Sequence, residues 1–243
     1  MMAQHANLFQ QLLLARRFKH EIDLALELDP RDCQGLRDLM EFYLLAPGIA
    51  GGDAEKARAT AARIARVDAV EGFAAQARLA EVAGDTARME AMLHRAVDAG
   101  PSNYRARVAL AGFAVAHGNL DEARRSAEAA VEIDGTRVDA YAVLARVHAM
   151  RGEMAQLEAR LVAAERQVPD DLTPYYRAAD ALISEGREWD WAEQYLRRYL
   201  AAEPEGNAPT LAEARRKLEQ ILEKRKRSMR AQRFYQVANR PDR

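Results

Sequence analysis

A single cysteine, Cys33, stands among the 243 residues. It excludes an intramolecular disulfide framework and any paired-cysteine metal or redox centre, and reads as a small apolar residue near a helix start. Aromatic residues make up only 7% of the chain, and strand formers nowhere alternate with polar residues over strand length, so a sheet has little to build on. Nothing approaches the run of about 20 apolar residues that spans a bilayer. The histidines His5, His20, His94, His117 and His148 are scattered without metal-ligand spacing. No serine, histidine and acid occur in the context of a nucleophile elbow. Acid pairs such as Asp121-Glu122 and Asp170-Asp171 sit where helices start and complement the helix dipole. No catalytic residues, metal or cofactor are expected.

What is present is apolar residues at 49% and charge at 30%, nearly balanced at net −1, in a period of 34 residues. Counting units from Val70, Tyr104, Val138 and Thr173, slot four holds Phe73, Arg107, Tyr141 and Tyr176, and slots seven and eight hold Gln76-Ala77, Leu110-Ala111, Leu144-Ala145 and Ala179-Asp180. Slot twenty holds Met89, Ala123, Leu157 and Ala192, slot twenty-four Leu93, Ala127, Leu161 and Leu196, and slot twenty-seven Ala96, Ala130, Ala164 and Tyr199. Spacings of three and four put these on one stripe of a second helix, and small residues at slots eight and twenty let two helices approach closely. Between the helices come Gly84, Gly118, Gly152 and Gly186, followed by Asp85, Asn119, Glu153 and Asp190; glycine ends one helix and the polar residue starts the next. Slot thirty-two closes the units with Pro101, Gly135, Pro169 and Pro204, and Pro30 and Pro241 fall in the same place in weaker units.

This combination resembles the tetratricopeptide repeat. The second-helix alanines and terminal prolines match; the Leu-Gly pair of the family reads Leu-Ala here, and slot eleven carries Ala80, Ala114, His148 and Ile183 in place of tyrosine. The resemblance implies an all-α fold, an α-solenoid of antiparallel helix pairs. By the same periodicity it extends to one array over 1–243: a partial unit 7–30, units 33–69, 70–103, 104–137, 138–172 and 173–206, and a degenerate unit 210–243 with a basic C-terminal helix. It also implies a non-catalytic scaffold or adaptor that holds a peptide or helix of another protein in a concave groove.

In such arrays slots two, five, nine and twelve of the first helices face the groove. Those slots offer Arg37, Arg78, Arg105, Arg146 and Arg177 as partner-binding residues, able to take carboxylates of an acidic segment in two-pronged fashion. Glu41, Glu81 and Asp139 can instead pair with these arginines and leave a solvated face. The lysine and asparagine slots by which chaperone-binding relatives clamp a C-terminal carboxylate are not matched, since no slot nine holds Asn.

Two further segments stand out. Residues 42–57, FYLLAPGIAGGDAEKA, widen one inter-helix turn, and the turn is similar to one found in bacterial tetratricopeptide proteins. Its glycines can expose N–H groups to an anion, but Asp53 repels one. The plainer reading has Pro47 ending a helix and Asp53 capping the next. Residues 215–243 hold eleven basic side chains (Arg215, Arg216, Lys217, Lys224, Arg225, Lys226, Arg227, Arg230, Arg233, Arg240, Arg243) against Glu219, Glu223 and Asp242, a balance of +8 that leaves about −9 on residues 1–214. The alternative function is therefore binding of nucleic acid or anionic membrane by this basic stretch, with a solvated terminal helix as the plainer explanation. Trp189 and Trp191, flanking Asp190, read as packing residues of the last units. Met1–Arg17 lacks an export signal, so a soluble, cytoplasmic protein is expected from the chain as given. Leu8–Ala15 reads as the tail of a helix with nothing stacked before it; a longer natural N-terminus with an export signal, and a periplasmic location, is the alternative.

Overall fold

The computed structural model describes residues 2–202 and 209–238, with side chains over 13–202 and 209–226. Pro204, Arg240, Pro241 and Arg243 lie outside the described residues, as do the side chains of His5, Leu8, Arg227, Arg230, Arg233, Phe234 and Tyr235. Twelve α-helices and one short 3₁₀ turn make up the described structure, with no strand among the described residues. The chain is all-α, of the tetratricopeptide-like solenoid class, and it forms two compact units, Met1–Leu110 and Ala111–Arg243.

The first unit contains α1 (Met2–Leu28), α2 (Cys33–Leu45), the 3₁₀ turn Gly48–Ala50, α3 (Ala54–Val67), α4 (Ala69–Val82) and α5 (Thr86–Ala99), and ends within α6 (Tyr104–Ala116). Aspartate and asparagine start α2 to α6. Asp32 accepts from the N–H groups of Gln34 and Gly35, Asp53 from Glu55 and Lys56, Asp68 from Glu71, and Asp85 from Arg88, while Asn103 accepts from Ala106 at 3.0 Å. Each satisfies a donor the first helical turn cannot satisfy itself. The core joins Ile22 and Leu26 of α1 to Leu36, Leu39 and Met40 of α2, Ala57, Ala61 and Ile64 of α3, and Ala75 of α4. Cys33 opens α2, where partial burial pushes its thiol up.

The widened turn is built by its glycines and Asp53. Ala46 caps α2, Pro47 turns the chain out of it, and Gly51 takes the left-handed conformation at φ 109°. A Cβ on Gly52 would lie 1.7 Å from the Ala46 carbonyl oxygen. The Asp53 N–H donates to the Tyr43 carbonyl at 2.8 Å, and the Asp53 carboxylate holds the N–H groups that an anion would need. Pro47 and Asp53 thus act as helix end and cap.

The second unit holds the rest of α6, then α7 (Leu120–Ile133), α8 (Val138–Arg151), α9 (Met154–Gln167), α10 (Thr173–Glu185), α11 (Trp189–Leu200) and α12 (Leu211–Ala238). Its core gathers the second-helix stripe Leu157, Leu161, Ala192, Leu196 and Tyr199 with Ala145, Ala149, Tyr176, Ala178, Ala179 and Leu182, closed by Ala214 and Ile221 of α12. Trp189 and Trp191 pack against this core. Asn119 caps α7 and accepts from Glu122 N–H. A reciprocal capping box starts α12: Thr210 Oγ1 accepts from Glu213 N–H at 3.2 Å, and the Glu213 carboxylate accepts from Thr210 N–H at 3.0 Å. The glycine slot takes the same conformation at the end of each first helix, φ 71° at Gly84, 77° at Gly118, 71° at Gly152 and 69° at Gly186.

Two helix starts differ from the sequence reading. Glu153 stands at the cap position of α9, but its carboxylate takes Nδ1 of buried His148 at 2.6 Å. The start of α11 is set by Glu188 at φ 51°, and Asp190 lies inside the first turn, paired with Arg225. Residues 211–238 form one helix with no hairpin turn.

Candidate functional site

In the first unit a cavity of about 360 Å³ opens among residues of α2, α4, α5 and the start of α6. Its apolar lining is mostly small: Ala74, Ala75, Ala96, Ala106 and Ala109, with Met40, Val70 and Leu93. The short side chains that let the helices pack also leave this space. Three of the five arginines offered by the groove slots, Arg37, Arg78 and Arg105, line it, together with Glu41, Glu71 and Asp38.

Those arginines are already engaged. Arg78 grips Glu41 with two prongs, Nε to Oε1 at 2.7 Å and Nη2 to Oε2 at 3.0 Å, and reaches Glu81 at 2.7 Å with Nη1. These bonds hold its pKa above the ordinary arginine value. Arg37 meets Glu71 at 2.5 Å and also donates to Gln34; Arg105 approaches the same Glu71 at 4.0 Å. For Arg78 the solvated pairing anticipated from Glu41 and Glu81 is what the structure contains. The acidic partner of Arg37 and Arg105, Glu71, went unread in the sequence, although it occupies slot two of its own unit. The cavity lining carries three cations and three carboxylates and is electrically balanced.

The other two arginines stand differently. Arg146 on α8 and Arg177 on α10 are half-buried, and neither makes a hydrogen bond or ion pair with a described residue. The pKa of Arg146 is lowered, first by burial and then by the positive charge of Arg177, with Asp180 acting the other way. Asp180 is itself held by Lys217 of α12 at 2.5 Å. The Arg177 guanidinium and Lys217 ammonium lie 5.8 and 5.9 Å from the centre of the buried Tyr176 ring. Of these three cations only Lys217 is bonded to the nearby carboxylate. The sequence signal for Asp180 was its departure from the alanine that slot eight holds in the other clear units. Asp139 goes to Arg137, at 3.8 Å, and not to a groove arginine.

Much of the described part of the basic stretch is spent internally. Lys217 bonds Asp180, Arg225 bonds Asp190 and Glu193, Lys226 bonds Glu223, and Lys224 stacks over Trp189 at 4.7 Å. Arg215 and Arg216 are exposed and make no ion pair with a described residue.

Residues 83–147 match the tetratricopeptide repeat family model. Solved structures extend the likeness in fold. PilW, a type IV pilus biogenesis factor, is 18% identical, covering 90% of this chain and 96% of its own, with a TM-score of 0.56. TTC0263 of Thermus thermophilus is 18% identical over 77% of this chain and 98% of its own, at 0.55. A tetratricopeptide repeat protein of Parabacteroides merdae is 17% identical over 86% and 80%, at 0.56. No curated protein matches in sequence. The chain therefore has the fold of tetratricopeptide-repeat proteins, with the repeat itself recognised over 83–147. No helix of the described residues is long and apolar enough to cross a membrane.

Proposed function

We propose that this chain is a non-catalytic scaffold that holds an extended segment or helix of another protein against the first helices of its repeats, and that in the second unit the segment is acidic where it meets Arg146 and Arg177. The observation that carries the reading is the state of those two guanidiniums. Desolvating like charges side by side is unfavourable unless something compensates them, and a carboxylate bound in two-pronged fashion is the natural complement of a guanidinium. In the first unit the charges cancel, so the cavity over Ala74, Ala75, Ala106 and Ala109 suits a small apolar side chain. Arg37, Arg78 and Arg105 then act as framework that fixes the cavity rim, and Arg146 and Arg177 act as ligand contacts. Among the described side chains of the basic stretch, Arg215 and Arg216 are the cations left without an ion pair or ring contact.

A crosslinking pull-down with the wild-type chain, repeated with Arg146→Gln and Arg177→Gln together, tests this. Partner recovery should fall by roughly tenfold or more, as expected for loss of charge-assisted bonds, and binding should weaken with salt. Undiminished recovery from the double variant removes these arginines from the site. Loss on trimming residues 224–243, with the arginine variant unaffected, transfers the function to the basic helix.

A further inference from the structure

We propose that α1 carries a face that binds a second copy of this chain, the two α1 helices running antiparallel about a two-fold axis at the level of residue 19. Helix α1 buries Ile22 and Leu26 in the first unit, while Leu13, Leu14, Phe18, Leu24 and Leu28 remain 54, 64, 53, 42 and 90% exposed. At about 100° per residue these five fall on one continuous arc of roughly 140°, beside the buried stripe. The end of α2 adds Leu45 and the 3₁₀ turn after it adds Ile49, 64 and 70% exposed. Seven of the ten large apolar residues exposed among the described residues are therefore in this one region. Concentration of that kind marks an interaction surface, whereas scattered exposed leucines do not.

The charges within the arc select the occupant. Arg17 and Glu21 stand in its middle, both exposed, one helical turn apart and of opposite sign. They make no ion pair with each other or with any other described residue, although their neighbours Lys19 and Asp23 pair at 2.6 Å. An antiparallel copy centred at residue 19 sets Arg17 against Glu21 of the second copy, and Glu21 against its Arg17. The same axis sets Leu14 against Leu24 in both directions. One symmetry operation thus satisfies the charges and the apolar residues together, as an isologous interface requires. The five leucine and phenylalanine side chains of α1 expose roughly 500 Å² per copy, so pairing removes roughly 1,000 Å² from water, at the lower limit of a specific interface. The dimer is accordingly weak and dependent on concentration.

Sedimentation equilibrium of the full chain up to about 200 μM, above the micromolar range typical of small interfaces, should show the mass rising from 27.2 kDa toward twice that value. Arg17→Glu alone and Glu21→Arg alone each place like charges in both symmetric contacts and should raise the dimer Kd by about tenfold. The double swap, Arg17→Glu with Glu21→Arg, restores the pairing and should return the Kd to the wild-type value. Leu14→Arg should leave only monomer, with the helical circular dichroism unchanged. A monomer at every concentration, single variants that dimerise like wild type, or a double swap no better than the singles would each overturn the proposal. Arg146→Gln with Arg177→Gln should leave the dimer intact, which separates this surface from the partner site.

Discussion

Gly52→Ala tests whether the widened turn holds α2 and α3 together. The added Cβ would sit 1.7 Å from the Ala46 carbonyl oxygen, 2.7 Å from its carbon and 3.3 Å from the Pro47 carbonyl carbon. All three are main-chain atoms, so no rotamer change relieves the overlap and the turn must open. Opening it strains the bonds from Gly52 N–H to Pro47 at 3.1 Å and from Asp53 N–H to Tyr43 at 2.8 Å, and moves the Asp53 cap of α3. Two backbone bonds at about 1 kcal/mol each and a helix cap at about 1 kcal/mol give a loss of about 3 kcal/mol. Gly48→Ala is the internal control, because its Cβ meets nothing within 4 Å; it should change stability by no more than about 0.5 kcal/mol. Urea unfolding followed by circular dichroism gives the free energies, and hydrogen exchange at Asp53 and Ala57 reports the turn directly. Equal losses in the two variants, or a Gly52→Ala protein as stable as wild type, would refute the steric account.

Leu161 is wholly buried in the second-unit core, while its neighbour on α9, Val162, is 51% exposed. Leu161→Ala should cost about 2–5 kcal/mol and Val162→Ala under about 1 kcal/mol in the same urea assay; equal effects would mean that α9 does not turn this face inward. Alkaline unfolding should depend on Tyr199, whose hydroxyl donates to the Pro209 carbonyl and whose pKa is pushed up to about 12, first by burial. An unfolded phenol ionises near 10, so the unfolded state loses its proton first and stability falls as pH rises from about 10 to 12. Tyr199→Phe should lessen that slope, Tyr175, Tyr176 and Tyr195, raised by burial too, supplying the remainder, and an unchanged slope across these pH values would contradict the assignment.

Helix order through the clear repeats was legible because two independent signals coincide at each boundary. Apolar stripes end where Gly84, Gly118, Gly152 and Gly186 reverse the chain, and side-chain caps follow the first two at Asp85 and Asn119. The terminal segments lacked one of these signals. No glycine or proline interrupts Met2–Leu28 or Leu211–Ala238, so each runs as one helix where the 34-residue count allowed a hairpin. The start of α11 was misplaced because its cap is a backbone device, Glu188 in the left-handed region, and not the side-chain cap that Asp190 suggested. Charge partners were the least legible feature. A slot count places Arg37 and Arg78 on a common face, but their pairing depends on which acid of a neighbouring repeat comes within reach.

That dependence has a regular geometry. Arg37 reaches Glu71 across 34 residues, Arg78 reaches Glu41 across 37, and Lys217 reaches Asp180 across 37. Consecutive first helices therefore lock an arginine or lysine when an acid stands about one repeat away and is not otherwise claimed. Arg177 has Val143 and Leu211 at 34 residues and Ala140 and Ala214 at 37, and none can pair with it. Arg146 has Asp180 at 34 residues, but Lys217 holds that carboxylate. The cationic pair is thus a consequence of where the acids are missing or already taken in the repeat pattern. A lysine in the last helix, read from sequence only as part of a basic stretch, keeps Asp180 from neutralising Arg146. The basic helix thus sets the charge around Arg146 by holding Asp180.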